Sequence, residues 1–239
     1  MTVRNVLIAG CGTGAHSIET AEQFPGSRVL AIDISRTSLA YARRKTREAG
    51  LHNIEYAQAD ILKLGSVGRS FDLIEAVGVL HHLSDPAEGW RVLLSILSPG
   101  GRMLIGVFSE LGERAINASR EFIAERGYGP TAEDIRACRQ ELIHRGQAIP
   151  SSDFYSTSGC RALWFNAVEH QFTIAGIKAL IEADRLSFLG FEVRPDAREQ
   201  FAREFPQPEA FTDLDCWQAF EQTHPSTFTG MYIFWVQKK

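Results

Sequence analysis

Short apolar runs alternate with longer amphipathic stretches along the first 108 residues of the chain. This alternation is typical of a parallel β-sheet whose strands are joined by crossover helices. Residues 6–9 and 72–74 are almost continuously apolar, as expected of strands that are buried on both faces. The pattern predicts strands at residues 5–9, 28–32, 54–58, 71–77 and 102–108, and helices near 13–24, 36–49 and 86–97. We therefore expect a doubly wound α/β fold.

The rhythm changes to helical segments after residue 108. Helices are predicted at 113–126 and 131–145, and Thr131, with Asp134 three residues later, is a predicted N-cap. A polar stretch and a short aromatic segment follow, so we expect a helical insertion that ends near residue 172. Thr173 is the predicted cap of the next helix.

The α/β pattern then returns and completes the predicted sheet. Further strands are predicted at 186–193 and 232–236, and further helices at 173–184, 197–204 and 213–222. The whole chain is expected to be one domain in three parts: residues 1–108, the insertion or lid at 109–172, and a C-terminal completion of the sheet at 173–239.

Composition narrows the class of protein. The net charge of −4 and a pI near 6.0 give no positive field for nucleic acid or an anionic membrane, so neither is an expected partner. No apolar run reaches the roughly 18 residues that span a bilayer, and no signal peptide is evident. The cysteines show no C-x-x-C pair and the histidines no H-E-x-x-H pattern, which favours a cytoplasmic protein without a metal site.

A glycine-rich turn follows the first predicted strand, with the sequence Gly10-Cys11-Gly12-Thr13-Gly14. Glycines let the backbone turn tightly and approach a ligand, and the next helix presents unpaired N–H groups. Asp33 ends the second predicted strand, where a carboxylate accepts hydrogen bonds from ribose hydroxyls. This pair of features serves a nicotinamide cofactor and S-adenosylmethionine (SAM) equally well.

The motifs that follow separate these alternatives. They are Ala59-Asp60-Ile61, then residues 71–75 running into 79–86 with its His81-His82 pair, and then residues 97–101. Their order and spacing resemble those of the class I SAM-dependent methyltransferases. The resemblance implies a seven-stranded sheet with the last strand antiparallel.

The same resemblance implies how SAM is held. Gly10, Gly12 and Gly14 would face its methionine part, Asp33 its ribose, Asp60 with Ile61 its adenine, and Gly78 would line the methyl-donor pocket. Cys11 and Ile34, which adjoin these residues, complete the expected cofactor-binding set.

Two departures from the family pattern carry consequences. The family usually places an acidic residue two positions before the first glycine, where this chain has Ile8, so Asn5 or a later residue is expected to compensate. The chain also starts almost at the first strand, without the helix that commonly precedes it. Residues 125–131 and 212–215 are similar to methyltransferase domains of bacterial tetratricopeptide-repeat proteins. The expected partner is therefore such a domain or protein, or a second copy of this chain.

The expected reaction is methyl transfer to a small-molecule or protein-attached acceptor, with oxygen favoured over nitrogen. His82 and, second to it, His81 are the predicted catalytic residues, because they follow the fourth strand at the ligand-binding edge. Their alternative role is to orient the loop or to cap the helix that begins near Pro86. Residues 77–80 lack the Asn/Asp-Pro-Pro-Tyr/Phe motif, so DNA adenine and glutamine side chains are not expected acceptors.

Side chains outside these motifs are also considered for the site. His16 is expected either to contact the cofactor or to lie at the surface. Aromatic and histidine side chains of the insertion would either contact the substrate or form its core, and these are Tyr128, Tyr155, Trp164, Phe165 and His170.

Two alternative functions remain open on the sequence. An NAD(P)-dependent oxidoreductase would use the same glycines and Asp33, but no hydride-handling site is evident. A non-enzymatic SAM-binding module for regulation or interaction would retain the cofactor motifs without turnover.

Overall fold

The structure is a computed structural model that describes residues 3–149, 152–165, 169–228 and 230–239. The described strands form one seven-stranded sheet in the order β3-β2-β1-β4-β5-β7-β6. The strands are β1 (Asn5–Ala9), β2 (Arg28–Asp33), β3 (Ile54–Gln58), β4 (Phe71–Val77), β5 (Leu97–Phe108), β6 (Ser187–Phe191) and β7 (Met231–Gln237). Strands β1 to β5 are parallel, and β7 runs antiparallel to both of its neighbours. The predicted seven-stranded α/β fold is confirmed.

Helices cover both faces of this sheet and form the insertion. They are α1 (Ala15–Gln23), α2 (Arg36–Glu48), α3 (Pro86–Ile96), α4 (Arg114–Arg126), α5 (Ala132–His144), α6 (Thr157–Phe165), α7 (Ile174–Ala183), α8 (Pro195–Glu204) and α9 (Leu214–Thr223). The two predicted caps are confirmed: Thr131 accepts a hydrogen bond from the Asp134 N–H at 3.1 Å, and Thr173 accepts one from the Gly176 N–H at 3.1 Å. Within the described ranges there are also four short 3₁₀ helices that were not predicted, at Ile61–Ser66, Leu80–His82, Ser152–Tyr155 and Pro208–Thr212.

The start of β5 differs from the prediction. The strand begins at Leu97, opposite Phe71, and the register shifts before Arg102 pairs with Leu73. Gly100, at φ +73°, therefore lies within an irregular strand segment instead of a loop between helix and strand. Its N–H donates to the carbonyl of Lys238 at 3.0 Å, so the segment is held by the end of β7.

Three apolar clusters divide the described chain. One face of the sheet packs with α3, α7 and α9, and the other face packs with α1 and α2. The third cluster belongs to the insertion, with buried residues that include Ile135, Phe154 and Trp164. The insertion thus has a core of its own beside the sheet. In the described part of the chain no helix is both long and apolar enough to cross a membrane.

Candidate cofactor site and adjoining histidines

The loop after β1 contains three glycines, and all three have a positive φ: +76° at Gly10, +52° at Gly12 and +92° at Gly14. A Cβ at Gly10 would lie 2.5 Å from Val79 Cγ2, and one at Gly14 would lie 2.6 Å from Ala42 Cβ. A Cβ at Gly12 would meet nothing within 4 Å. Gly10 and Gly14 are therefore required by close packing, whereas Gly12 borders open space in which a ligand can approach the backbone.

Asp33 connects this loop to the end of β2. Its Oδ2 accepts a hydrogen bond from the Gly12 N–H at 2.8 Å, and its Oδ1 accepts one from the Ser35 N–H at 2.8 Å. Each carboxylate oxygen can accept further hydrogen bonds from a ligand. The next residue, Ile34, is 72% exposed, so it presents an apolar surface beside the carboxylate.

Asp60 and Ile61 follow β3 at the same edge of the sheet. Asp60 caps the 3₁₀ helix, where its Oδ1 accepts from the Leu62 N–H at 3.0 Å. The Ile61 side chain is buried in the main core. Ile61 can therefore offer a ligand only its main chain.

Gly78 and Cys11 complete the predicted cofactor set. Gly78 has φ +76°, and a Cβ there would have only Met231 Cε within reach, at 4.0 Å. Cys11 is buried, and burial together with the nearby Asp33 raises the pKa of its thiol to about 12. Cys11 therefore has a packing role and is a neutral thiol, not a nucleophile.

These residues fit SAM. Open backbone at Gly12 and Gly78 lies at the carboxyl ends of β1 and β4, and the carboxylates Asp33 and Asp60 lie at the ends of β2 and β3. Ligands of doubly wound sheets bind at this edge, where the strand order reverses between β1 and β4. Carboxylates in these positions can accept hydrogen bonds from the hydroxyl and amino groups of an adenosine.

This chain has Ile8 where the family pattern has an acidic residue, and a carboxyl group lies beside Ile8 on β4. Ile8 pairs in register with Glu75, which is only 3% exposed. Glu75 Oε2 accepts a hydrogen bond from Thr20 Oγ1 at 2.7 Å and lies 2.8 Å from Nε2 of His16. The Glu75 carboxyl group, so close to the ring, raises the pKa of His16 above its usual value.

Asn5, one expected substitute for the acidic residue, cannot take that role. It is the first residue of β1, and its N–H donates to Asp72 Oδ2 at 3.0 Å. Asn5 lines a cleft of about 570 Å³ at the amino edge of the sheet, the edge opposite the glycine loop. The expectation for Asn5 is wrong because the parallel strand carries it away from the ligand-binding edge.

The two histidines after β4 have different environments. His81 is fully buried and its ring stacks on Phe108 at 3.8 Å between centroids, whereas His82 is exposed. Their Nε2 atoms lie 3.1 Å apart. Burial lowers the pKa of His81 to about 3, with smaller contributions from His82 and His170. His81 is therefore neutral at physiological pH.

The segment that leaves the insertion runs along this edge. The His170 N–H donates to the carbonyl of His81 at 2.8 Å, and the Phe172 N–H donates to the carbonyl of Phe108 at 2.9 Å. Asn117 on α4 exchanges two side-chain hydrogen bonds with Gln171. The insertion is thus attached directly beside the histidine pair.

The aromatic side chains of the insertion have separate roles. Trp164 is buried and meets Phe154 edge to face at 6.0 Å, so it forms core. Tyr155 is 67% exposed. Tyr128 lies in the loop between α4 and α5, and its hydroxyl donates to Glu141 Oε2 at 2.9 Å, which attaches this loop to α5.

Three buried carboxyl groups were not predicted from the sequence: Glu75, Glu113 and Glu221. An acidic residue within the apolar strand at 71–77 was a visible signal for Glu75. Glu113 precedes α4 and is 2% exposed; burial and the nearby Glu169 raise its pKa to about 7. In the described ranges no group of three or more His, Cys, Asp and Glu side chains is placed to hold a metal ion.

Known proteins are similar to this chain in sequence and in fold. The sequence model of a family described as methyltransferase domain matches residues 6–101. An uncharacterized protein of Synechococcus sp. is 39% identical over 94% of this chain, and the chain spans 60% of that protein. Demethylmenaquinone methyltransferase of Clavibacter sepedonicus is 31% identical over 73% of this chain and 71% of that enzyme.

Among solved structures, PKMT2 from Rickettsia typhi superposes with a TM-score of 0.74 over the whole chain at 17% identity, and the match covers 49% of that protein. The same protein has also been solved with S-adenosylhomocysteine (SAH). The chain belongs to the class I SAM-dependent methyltransferases, and its cofactor is SAM. The oxidoreductase alternative is thereby set aside.

Proposed function

We propose that this chain transfers a methyl group from SAM to an acceptor oxygen of a small molecule or of a protein-attached group. The observation that carries the proposal is the placement of His82. It is exposed, lies four residues beyond Gly78, and adjoins the segment that leaves the insertion. A side chain there can receive the proton that a hydroxyl acceptor loses.

The cofactor half supplies positioning. The sulfonium of SAM supplies an electrophilic methyl group when bound, so the main tasks of the protein are alignment and exclusion of water. Asp33 holds the ribose hydroxyls, and the backbone at Gly12 allows the methionine part to approach closely. Gly78 leaves room next to the methyl group.

The histidine pair divides its work in this proposal. His81 stays neutral, and its buried ring is fixed against Phe108. The two Nε2 atoms lie 3.1 Å apart, so one of them can donate a hydrogen bond to the other. This hydrogen bond between the two rings fixes the orientation of His82. His82 then accepts the acceptor's proton, and His81 is a positioning residue.

The insertion chooses the acceptor in this scheme. It has its own core, and its exit segment contacts the main chain of His81. A tetratricopeptide-repeat domain as partner stays part of the proposal, as does a second copy of the chain. The chain spans only 60% of the Synechococcus protein, so the rest of that relative is a place to look for such a partner.

Calorimetric titration of SAH into the purified chain tests the cofactor part. Asp33→Ala should weaken binding at least ten-fold, about 1.4 kcal/mol. Asp72→Ala is the matched control, because Asp72 also accepts two main-chain hydrogen bonds, from Arg4 and Asn5, but at the opposite edge of the sheet. Equal loss of affinity in both variants would contradict a direct role for Asp33.

Transfer of an isotope-labelled methyl group from SAM to a panel of acceptors tests the reaction. The panel should hold hydroxyl compounds, amines, proteins, and demethylmenaquinone, which the Clavibacter relative is named for. His82→Gln should lower kcat about 100-fold for a hydroxyl acceptor. SAH binding without turnover on any acceptor would favour the non-enzymatic module, and an unchanged kcat would remove His82 from the chemistry.

A further inference from the structure

Glu75 is a buried carboxyl group in a strand whose other buried residues are apolar. Six of the seven residues of β4 are Phe71, Asp72, Leu73, Ile74, Ala76 and Val77, and of these only Asp72 is charged. Asp72 lies at the amino edge, where it binds the main chain of β1. Burial of a charge is costly unless partners compensate, so Glu75 requires a reason for being there.

The register of the sheet supplies one. Glu75 lies directly beside Ile8, the position at which the family usually carries an acidic residue. Adjacent strands are about 4.8 Å apart, and Glu is one methylene longer than Asp, so part of this displacement is recovered by reach. Both side chains point to the face that packs with α1, because Leu73 and Ile8 belong to the same apolar cluster.

The contacts of Glu75 leave capacity for a ligand. Among the described residues its partners are Thr20 and His16, and both contact Oε2. His16 is the second residue of α1, directly after the glycine loop, and its side chain is 40% exposed. Glu75 is therefore connected to the glycine-loop side of the site through His16, whose side chain is partly exposed.

We propose that Glu75 replaces the missing acidic residue and supplies the negative charge for the α-ammonium group of bound SAM. This proposal rests on SAM binding as proposed above and assigns one cofactor contact to a strand different from the usual one. A carboxylate and an ammonium group form a charge-assisted hydrogen bond, which is about twice as strong as a neutral one. His16 and Thr20 hold the carboxylate in place.

The test compares two ligands that differ only at the ammonium group. Calorimetry is done with SAH and with the SAH analogue in which hydrogen replaces the α-amino group. Glu75→Gln should weaken SAH at least ten-fold and change the affinity of the deaminated analogue less than two-fold. Ile8→Asp added to Glu75→Gln should restore most of the SAH affinity, because it returns the charge to the usual strand.

Two control variants separate binding from structure. Thr20→Val removes one hydrogen bond that positions Glu75 but keeps its charge, so it should lower the preference for SAH over the analogue much less than Glu75→Gln does. Glu221→Gln neutralises another buried carboxyl, which bonds the Tyr232 hydroxyl at 2.6 Å, and should leave this preference unchanged.

Several outcomes would overturn the proposal. Equal weakening of both ligands by Glu75→Gln would make Glu75 a structural residue. Equal affinity of the wild type for SAH and the deaminated analogue would reject an ammonium contact without any variant, even if Glu75→Gln fails to fold. A wild type that binds neither ligand would instead contradict cofactor binding itself, and this proposal with it.

Discussion

The cofactor half and the insertion hold their functional groups by different means. At the glycine loop the contacts are made mainly by the backbone. Gly10 and Gly14 leave no space for a side chain, and Asp33 accepts a hydrogen bond from the N–H of Gly12. In the insertion, side chains make the connections, such as Arg120 to Glu169 at 2.6 Å and Asn117 to Gln171. Under the proposed function, the backbone contacts of the first region serve one cofactor, whereas exchange of side chains in the second region could change the acceptor.

The largest expected effect comes from the core of the insertion. Trp164→Ala should lower the free energy of unfolding of the insertion by about 3–5 kcal/mol and abolish turnover. SAH affinity should change less than three-fold, since the cofactor half has separate apolar clusters. Hydrogen exchange of α4 to α6 and calorimetry measure the two effects. Tyr155→Ala, at an exposed position, is the control, and parallel loss of SAH binding in Trp164→Ala would show that both regions unfold together.

The glycine loop gives the next effect. Gly14→Ala should cost about 3 kcal/mol of stability, because the new Cβ would lie 2.6 Å from Ala42 Cβ at an unfavourable φ of +92°. Gly12→Ala should cost only about 1 kcal/mol but weaken SAH binding at least ten-fold. Urea unfolding and calorimetry check both variants. If Gly12→Ala binds SAH normally, the open space at Gly12 does not face the cofactor.

Glu113 gives a pH-dependent effect of up to about 3 kcal/mol. Its pKa of about 7 is above the ordinary value of 4.5, so the unfolded chain ionises first and the native state is destabilised as pH rises from 4.5 to 7. Glu113→Gln removes this cost, and should match the wild type at pH 4 and exceed its unfolding free energy at pH 8. Glu121→Gln, on the exposed side of α4, should show no such gain. A pH-independent difference would show that Glu113 is not protonated in the native state.

The smallest effect is expected at His16. Glu75 raises the pKa of His16, so the ion pair stabilises the native state below pH 6.5 and loses this contribution as pH rises through the raised pKa. Because His16 is partly exposed, His16→Gln should cost less than about 1 kcal/mol at pH 6, and nothing at pH 9. Urea unfolding at both pH values measures it, with His52→Gln as the exposed control. A cost that persists at pH 9 would indicate packing instead of charge.

The sheet was predictable because its signals are local. The boundaries of β1, β3 and β4 match the prediction, since each strand is a short apolar run between turn residues. The 3₁₀ helices were missed because three to six residues are too few to show a helical period. The early start of β5 depends on its pairing with Phe71, which no local pattern reveals.

The site residues with local sequence signals could also be predicted, and the others could not. Gly10, Gly14 and Asp33 could be located because their roles follow from the backbone of one β–α unit, and their assignment to SAM contacts stays a prediction. Glu75 was missed, since its significance appears only when β1 and β4 are paired in register. The contacts of the insertion join residues that lie far apart in the chain, as with Asn117 and Gln171, and sequence spacing alone does not indicate them.

The position of β7 has a consequence for biosynthesis. This strand is made after β6, yet it lies between β5 and β6, and β6 pairs with β7 alone in the described sheet. A nascent chain that ends before Met231 therefore leaves open two strand edges that β7 closes in the finished sheet, one on β5 and one on β6, and open edges are prone to aggregation. The predicted cofactor-binding residues, up to Gly78, emerge from the ribosome long before β7 is made. Binding of SAM during translation would stabilise the incomplete sheet while these strand edges are still open.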